Sequence, residues 1–240
     1  MKHKVAAVIL GAGKGTRMKS DKPKVLMPVC GKPMIVHILD TLKKIPVQNV
    51  VTVISPEGQE VAETVHPFQT CVQKEQLGTG HAVNCAKELL QDFNGAVLVI
   101  FGDTPLIRKE TFTKLITKVE EGYSVVVLGF RPAEAGRYGR LVMKGNDLDS
   151  IVEYKDASDD EKKIDFCNSG VMAFDGRYLF DILAKIGNQN AAGEYYLTDA
   201  VAVAKKMGLK CTALEGDPCE VASANTLEEL AQLEQFYMKA

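Results

Sequence analysis

The sequence opens on Val5-Ala-Ala-Val-Ile-Leu10, a continuous apolar run that passes directly into Gly11-Ala-Gly-Lys-Gly-Thr-Arg17. An uninterrupted apolar run that ends at a glycine predicts a strand buried on both faces, as in a parallel sheet. In an open α/β sheet, ligands bind beyond the carboxyl ends of the strands. A glycine-rich turn there lets backbone N–H groups approach phosphate oxygens. This stretch therefore predicts an α/β domain with a ligand site just after its first strand.

The rest of the chain alternates apolar strands with helical periodicity. Such alternation indicates βαβ units, and therefore a mostly parallel sheet with helices on both faces. Two short segments around a Lys-Gly-Asn-Asp turn predict a small β-hairpin instead. We predict strands at 49–54, 71–72, 96–101, 124–130 and 166–174, the hairpin at 139–143 and 148–153, and helices at 34–44, 56–65, 81–90, 111–120, 177–186, 197–207 and 227–238.

Composition excludes several classes of protein. The 240 residues carry a formal net charge of −2, without the basic excess of a duplex-binding protein, so we expect no nucleic-acid partner. No apolar run approaches the ~18 residues of a membrane span, and the apolar part of residues 1–10 is too short for a signal peptide. The six cysteines form no CxxC pair, which favours free thiols and a cytoplasmic location.

The glycine-rich loop matches neither common phosphate-binding motif. The dinucleotide fingerprint GxGxxG and the Walker loop, if they began at Gly11, would both need a glycine where Thr16 stands. Basic residues nevertheless cluster here, with one acid among them: Lys14, Arg17, Lys19, Lys22 and Lys24. Backbone donors combined with cations suit a triphosphate, although a solvated basic loop is the alternative.

Two further segments follow predicted strands. Gln73-Lys-Glu-Gln-Leu-Gly-Thr-Gly80 offers amide side chains that suit a base edge and glycines that permit close approach, but it could equally cap a helix. Asp103 comes directly after Gly102 at the end of a buried strand, a common position for a Mg²⁺ ligand. A turn or N-cap aspartate remains the alternative there.

Taken together, the motifs resemble those of nucleotide-sugar pyrophosphorylases. The opening Leu10-to-Met18 segment with Pro23-Lys-Val-Leu26 is shared by many members of that family. The complete set is similar, over nearly the whole chain, to the uridylyltransferase domain of bacterial bifunctional N-acetylglucosamine-1-phosphate uridylyltransferase/glucosamine-1-phosphate acetyltransferases. The segments that narrow the resemblance are 73–82, Gly102-Asp103, Tyr138-Gly-Arg140, 151–153, 155–157, Asn168-Ser-Gly170 and Gly193-Glu-Tyr-Tyr-Leu-Thr-Asp199.

The resemblance implies a Rossmann-like nucleotide-diphospho-sugar transferase fold. It implies a reaction in which UTP and N-acetylglucosamine 1-phosphate give UDP-N-acetylglucosamine and pyrophosphate. It further implies Mg²⁺ as the cofactor and a role for each matching residue. Nucleoside contacts would come from Leu10, Gly11, Ala12, Gly13, Gln73, Gly78 and Thr79, phosphate contacts from Arg17 and Lys24, metal ligands from Asp103 and Asn225, and amino-sugar contacts from Gly139, Glu153 and Asn168.

The sequence departs from the family pattern at Gly11 and Phe101, where alanine and tyrosine are frequent, and it shows no hexapeptide repeats of the acetyltransferase β-helix. We therefore expect one nucleotidyltransferase domain over 1–240, with a nucleotide part at about 1–130, a sugar part at about 131–225 and a C-terminal helix at about 226–240. Without the β-helix trimer surface we expect a monomer with no membrane partner. Two alternatives stay open: another hexose 1-phosphate as substrate, or a non-catalytic nucleotide-sugar sensor.

Overall fold

A mixed, mostly parallel sheet forms the centre of the protein in the computed structural model, which describes residues 4–13, 18 and 22–239. Along its main path the strands run in the order β11-β7-β10-β6-β1-β4-β5. The strands are β1 Val5–Leu10, β2 Pro28–Val29, β3 Lys32–Pro33, β4 Val47–Ile54, β5 Gln69–Val72, β6 Ala96–Phe101, β7 Val125–Phe130, β8 Arg140–Lys144, β9 Asp147–Val152, β10 Cys167–Asp175 and β11 Cys211–Glu215.

The described residues form eight helices, and the two large core clusters include helices on both faces of the sheet, as the alternating pattern predicts. Two short 3₁₀ turns, at Lys24–Leu26 and Glu161–Lys163, complete the described elements. No helix of the described ranges has the length and apolar content that a membrane crossing requires. The helices are α1 Met34–Leu42, α2 Gln59–Val65, α3 Thr79–Asn84, α4 Lys87–Leu90, α5 Lys109–Glu120, α6 Gly176–Leu183, α7 Asp199–Lys206 and α8 Leu227–Lys239.

Strand β1 lies in the middle of the sheet and pairs in parallel with β4 on one side and β6 on the other. Its last residue, Leu10, stands opposite Val53 of β4 and Phe101 of β6, so the carboxyl ends of these strands meet at one edge. Because β4 and β5 lie on one side of β1 and the next strand, β6, lies on the other, the strand order reverses at β1. A crevice forms at such a reversal, which is where α/β sheets bind ligands.

Apolar residues on both faces of β1 explain why its sequence is continuous rather than alternating. Ala6 and Val8 belong to one core cluster, which includes residues of α3, α6 and α7. Val5, Ala7 and Ile9 belong to a second, with residues of α1 and α5 on the opposite face. A strand covered on both faces has no position for a polar side chain.

The antiparallel part of the sheet begins with β10, which runs opposite to both of its neighbours, β6 and β7. The predicted hairpin is confirmed as β8 and β9, and it joins the main sheet where Cys167 pairs with Arg140. The predicted α/β class with a mostly parallel sheet is also confirmed.

Three parts of the sequence-based prediction differ from the structure. Strands β2 and β3, which pair in a separate two-stranded antiparallel sheet, are not among the predicted strands. The single helix predicted over 81–90 is two short helices, α3 and α4, and α3 begins two residues earlier, at Thr79. Strand β11 was not predicted, because its five residues have no continuous apolar run and it lies at the edge of the sheet beside β7.

Candidate active site

A cavity of about 380 Å³ opens at the carboxyl edge of β1 and β6. Its wall combines the end of β1, the loop after β5, the loop after β6 and the segment that precedes α8. This cavity is therefore in the crevice that the strand order creates. The lining residues are Leu10, Ala12, Gly13, Lys24, Val25, Gln73, Gln76, Gly78, Thr79, Ala82, Phe101, Asp103, Glu194 and Asn225.

Lys24 forms the centre of a polar cluster in this cavity. Its ammonium group donates hydrogen bonds to Oδ2 of Asp103 and, over 2.6 Å, to Oδ1 of Asn225. The side chains of Lys24 and Asp103 are only 12% and 17% exposed, so solvent screens this ion pair weakly. Two side-chain oxygens therefore point at one positive charge, although Asp103 and Asn225 follow Lys24 by 79 and 201 positions in the sequence.

Backbone geometry holds the two acceptors of Lys24 in place. Asp103 follows β6 through Gly102, whose amide donates to the carbonyl of Leu10 over 2.9 Å. A Cβ at Gly102 would lie 2.8 Å from the Cγ1 atom of Val25, so this position has no room for a side chain. At the start of α8, Glu229 accepts from the amide of Asn225 over 2.5 Å, which anchors that residue to the helix.

The loop between β5 and α3 is fixed by its own amide side chains. Gln73 Nε2 donates to the carbonyl of Gly78 over 3.1 Å, and Gln76 Nε2 donates to the carbonyl of Ala12 over 2.7 Å. Gly78 has a φ of +112°, and a Cβ there would lie 2.7 Å from the carbonyl oxygen of Tyr195. Only glycine fits such a position, because both the φ and the space exclude a side chain.

Segment 193–199 crosses the same loop. The amide of Gly80 donates to the carbonyl of Tyr195, and the amide of Tyr195 donates to the carbonyl of Leu77, both over 2.8 Å. The hydroxyl of Thr79 accepts from the amide of Leu197 over 3.0 Å. The two segments most specific to the resemblance are therefore hydrogen-bonded to each other, 118 residues apart.

A second cavity, of about 510 Å³, adjoins the first and shares Thr79 and Glu194 with it. Glu153, which follows β9, is a partly buried acid in its wall. Thr198 Oγ1 donates to Glu153 Oε1 over 3.0 Å, and burial nevertheless raises the pKa of the Glu153 carboxyl above its ordinary value. The lining residues are Thr79, Arg137, Glu153, Tyr154, Lys155, Glu194 and Tyr196.

Gly139 and Asn168 lie beside Glu153. A Cβ at Gly139 would lie 3.5 Å from Oε2 of Glu153 and 3.6 Å from Cβ of Asn168. The amide of Asn168 donates to the carbonyl of Gly139 over 2.8 Å. Its side-chain oxygen accepts from the amide of Gly170, which leaves the side-chain NH₂ group as its donor towards other partners.

The structure thus brings together the residues predicted for a nucleotide and those predicted for a sugar, at two neighbouring cavities. Arg17, the second predicted phosphate cation, lies outside the described residues. The amide of Gly11, one of the residues predicted to contact the nucleoside, donates to the carbonyl of Val53 over 2.8 Å, so this amide continues the hydrogen bonding between β1 and β4.

Sequence reasoning missed several residues of these walls. Glu194 and Thr198 belong to segment 193–199, which the motif comparison singled out without giving either residue a role. Gln76 was noted as a base-edge candidate, whereas its side chain supports Ala12 instead. Arg137 and Lys155 add positive charge to the second cavity. Lys155 lies in a matching segment that gave it no role, and Arg137 lies outside the matching segments.

Comparison with known proteins places the chain in a family. Residues 7–237 match the family model of the MobA-like NTP transferase domain. The chain belongs to this family. Nucleotidyl transfer is therefore its class of chemistry, in agreement with the motifs at the carboxyl edge of the sheet.

Individual proteins that are about half identical to this chain in sequence indicate a more specific group within the family. The Bifunctional protein GlmU of Rhodospirillum rubrum is 51% identical over 233 residues, 96% of this chain and 52% of that protein. The Bifunctional protein GlmU of Paramagnetospirillum magneticum is 47% identical over 233 residues, again 96% of this chain and 52% of that protein. The chain spans about half the length of these relatives. The resemblance that its motifs predict is confirmed.

A solved structure has the same fold as this chain. It is a Bacillus anthracis protein assigned as a glucose-1-phosphate thymidylyltransferase, in complex with a sucrose, with a TM-score of 0.79. The match covers 98% of this chain and 96% of the other at 19% identity, so it shows the fold alone.

Proposed function

We propose that this protein transfers the uridylyl group of UTP to N-acetylglucosamine 1-phosphate, giving UDP-N-acetylglucosamine and pyrophosphate. Relatives named as bifunctional GlmU proteins, matched over 96% of this chain, support the proposal. The motif set quoted from the sequence resembles the uridylyltransferase half of such proteins. This half carries the reaction that forms the nucleotide sugar.

The observation that carries the proposal is the pair of adjoining cavities. The first combines Gly13, beside which the structure leaves open space, with the Lys24 cluster, and this combination suits a nucleoside triphosphate. The second has a partly buried carboxylate and two cations, which suit a hydroxyl-rich sugar with a phosphate. Because Thr79 and Glu194 line both, two substrates would meet at the boundary between the cavities.

The proposed reaction needs no nucleophile from the protein. A phosphate oxygen of the sugar phosphate attacks the α-phosphorus of UTP, a new P–O bond forms, and the bond to the β-phosphate oxygen breaks. The electron pair of that bond leaves with pyrophosphate, so atoms and charge balance. The chain must hold two anions in line and offset the charge on the leaving group. Lys24 supplies a point charge for this purpose, and Arg17 would add a bidentate donor.

Mg²⁺ fits the residues that the structure brings together. Oδ2 of Asp103 and Oδ1 of Asn225 already accept hydrogen bonds from one ammonium, so both point at a common position. Mg²⁺ prefers oxygen ligands and commonly uses one or two protein oxygens together with substrate phosphates. The described ranges hold no group of three His, Cys, Asp or Glu side chains suited to a metal. The proposed Mg²⁺ ligands from the protein are therefore one carboxylate and one amide oxygen. When bound, the ion would neutralise phosphate charge.

On the sugar side we assign recognition to Glu153, Gly139 and Asn168. Glu153 would accept hydrogen bonds from sugar hydroxyls, since Thr198 occupies only one of its oxygens. Asn168 would donate through its side-chain NH₂ group, and the absent side chain of Gly139 would leave space for the acetamido group. A site built to hydrogen-bond a group rejects an analogue that lacks it.

A coupled assay of pyrophosphate release tests the proposal. Wild-type protein with Mg²⁺ is given each of several nucleoside triphosphates with each of several hexose 1-phosphates. We expect UTP with N-acetylglucosamine 1-phosphate to exceed UTP with glucose 1-phosphate by at least ~10-fold in kcat/KM. Equal use of both sugars would favour a broader hexose specificity. Binding without pyrophosphate release would favour a nucleotide-sugar sensor.

Three further properties are proposed on the same basis. We propose that about 1–130 form the nucleotide part and about 131–225 the sugar part of one domain, followed by the C-terminal helix at about 226–240. We also propose a cytoplasmic location, since all six cysteines carry free thiols and a cytoplasm keeps thiols reduced. We further propose that the protein is a monomer. Sedimentation equilibrium measures the oligomeric state, and a dimer or trimer would contradict that part.

A further inference from the structure

Arg140 is a buried arginine that stands just behind the second cavity. It begins β8 and is 2% exposed, and it has the largest fully buried side chain of the described residues. Its guanidinium donates to backbone carbonyl oxygens at Gly136 (3.0 Å), Ala135 (3.2 Å), Lys162 (3.3 Å) and Tyr138. A planar group with five donors is thus satisfied by peptide carbonyls.

Three of these carbonyls belong to one loop. Residues 131–139 connect β7 to β8 and contain neither helix nor strand. Arg140 supplies this loop with the hydrogen bonds that a regular element would supply to itself. The same loop carries Arg137, on the wall of the second cavity, and ends at Gly139 beside Glu153.

The remaining partners of the guanidinium belong to a later stretch of the chain. Lys162 belongs to the 3₁₀ turn at Glu161–Lys163, and the ring of Tyr154 lies 5.8 Å from the Cζ atom of Arg140. Tyr154 lines the second cavity directly after Glu153. One buried side chain therefore contacts both the loop that carries Arg137 and the ring of Tyr154, two parts of this wall.

We propose that Arg140 is a positioning residue for the sugar-phosphate subsite. It sets the distance between the 131–139 loop and residues 153–155 without contacting the substrate. This role rests on the proposed function. Burial of a guanidinium is costly, and here its hydrogen bonds to carbonyl oxygens offset that cost. An apolar side chain could not hold three carbonyls of the irregular loop and one of the 3₁₀ turn in a single arrangement.

The test compares Arg140→Lys and Arg140→Ala with wild-type protein, at a temperature where all three are folded. Lysine keeps the charge but loses the planar fork, so both variants should raise KM for the sugar phosphate by about 10-fold or more. KM for the nucleotide should stay within about twofold, because the Lys24 cluster lies in the other cavity. Millimolar guanidinium should lower the raised KM of Arg140→Ala, since it can occupy the space that the side chain leaves.

Arg131→Ala is the matched control. Arg131 begins the same loop, but it is exposed and pairs with Asp165 and Glu215. Its removal should change neither KM. An equal effect of Arg131→Ala, an equal rise in both KM values of the Arg140 variants, or lowered stability with an unchanged KM would overturn the positioning role.

Hydrogen exchange separates this proposal from the proposed function. In Arg140→Lys the amides of 135–139 should exchange at least ~10-fold faster than in wild-type protein, while the amides of β7 keep their protection. Unchanged exchange in 135–139 overturns the proposal whatever substrate the protein uses. Faster exchange with no sugar-phosphate activity in wild-type protein supports the loop contact, and it refutes the proposed function instead.

Discussion

Replacing Lys24 with methionine should strengthen the binding of a divalent metal ion to the free protein. The ammonium of Lys24 hydrogen-bonds the same two oxygens, of Asp103 and Asn225, that we assign to Mg²⁺. An ammonium group and a metal ion cannot share that position, so the ion must displace the lysine. A hydrogen bond to a charged group is worth about 1.5–3 kcal/mol. We take the lower end of that range, about 1.5 kcal/mol. Both side chains of the ion pair are largely buried, so this free energy is not reduced further for screening by solvent.

A gain of ~1.4 kcal/mol corresponds to a tenfold change in an equilibrium constant. We therefore expect the Kd for Mn²⁺ to fall by at least about tenfold in Lys24→Met, in the absence of nucleotide, by isothermal titration calorimetry or electron paramagnetic resonance. Turnover should fall in the same variant, since the charge that meets the phosphates is lost. Lys22→Met is the control, because Lys22 lies 4.0 Å from Glu60 and is half-exposed. Unchanged or weaker Mn²⁺ binding in Lys24→Met, or the same gain in Lys22→Met, would refute the competition.

Three other predictions follow from the site. Asp103→Asn should lower kcat/KM by at least about 100-fold in the pyrophosphate assay, while Asp92→Asn, at an exposed position, should not; equal activities would remove Asp103 from the site. Burial raises the pKa of Glu153, so the folded protein disfavours its charged form, and Glu153→Gln should raise Tm at about pH 7 but not below about pH 4. The same variant should raise KM for the sugar phosphate only, and a Tm change that does not depend on pH would contradict the reasoning. Gly78→Ala should lower Tm by at least about 4 °C, through a strained φ and the contact with Tyr195, and an unchanged Tm would show that the loop relaxes.

The strands were the most predictable part of the fold. Val5–Leu10 and Ala96–Phe101 are strands with the predicted bounds, because both are central and have apolar neighbours on each face. The direction of β10 could not be predicted, since a strand's own residues do not record which way its neighbours run. The break between α3 and α4 was equally hidden, because Ala82, Cys85, Ala86 and Leu89 form an apolar face whether or not the helix is continuous.

Within the site, residue types were easier to predict than their contacts. Lys24 and Asp103 stood out as a cation after a glycine-rich loop and an acid after a buried strand. Their direct contact is set by the pairing of β1 with β6, which the sequence does not state. The sequence places Arg140 in a matching motif but does not predict its contacts. An arginine in a sequence can pair with a backbone carbonyl, a carboxylate or a ligand, and the residue type alone does not distinguish these partners.

The antiparallel direction of β10 explains how one sheet edge serves both proposed substrates. Met172 pairs with Val99 of β6, so the chain before Met172 extends towards the carboxyl end of β6. Gly170 consequently lies against the ring of Phe101, where a Cβ would come within 2.7 Å of a ring carbon. A parallel strand would have started at the opposite edge, and Asn168 with it. Because β10 is antiparallel to β6, it begins beside the carboxyl end of β6. Asn168, which we assign to sugar recognition, therefore lies at the same edge of the sheet as Asp103.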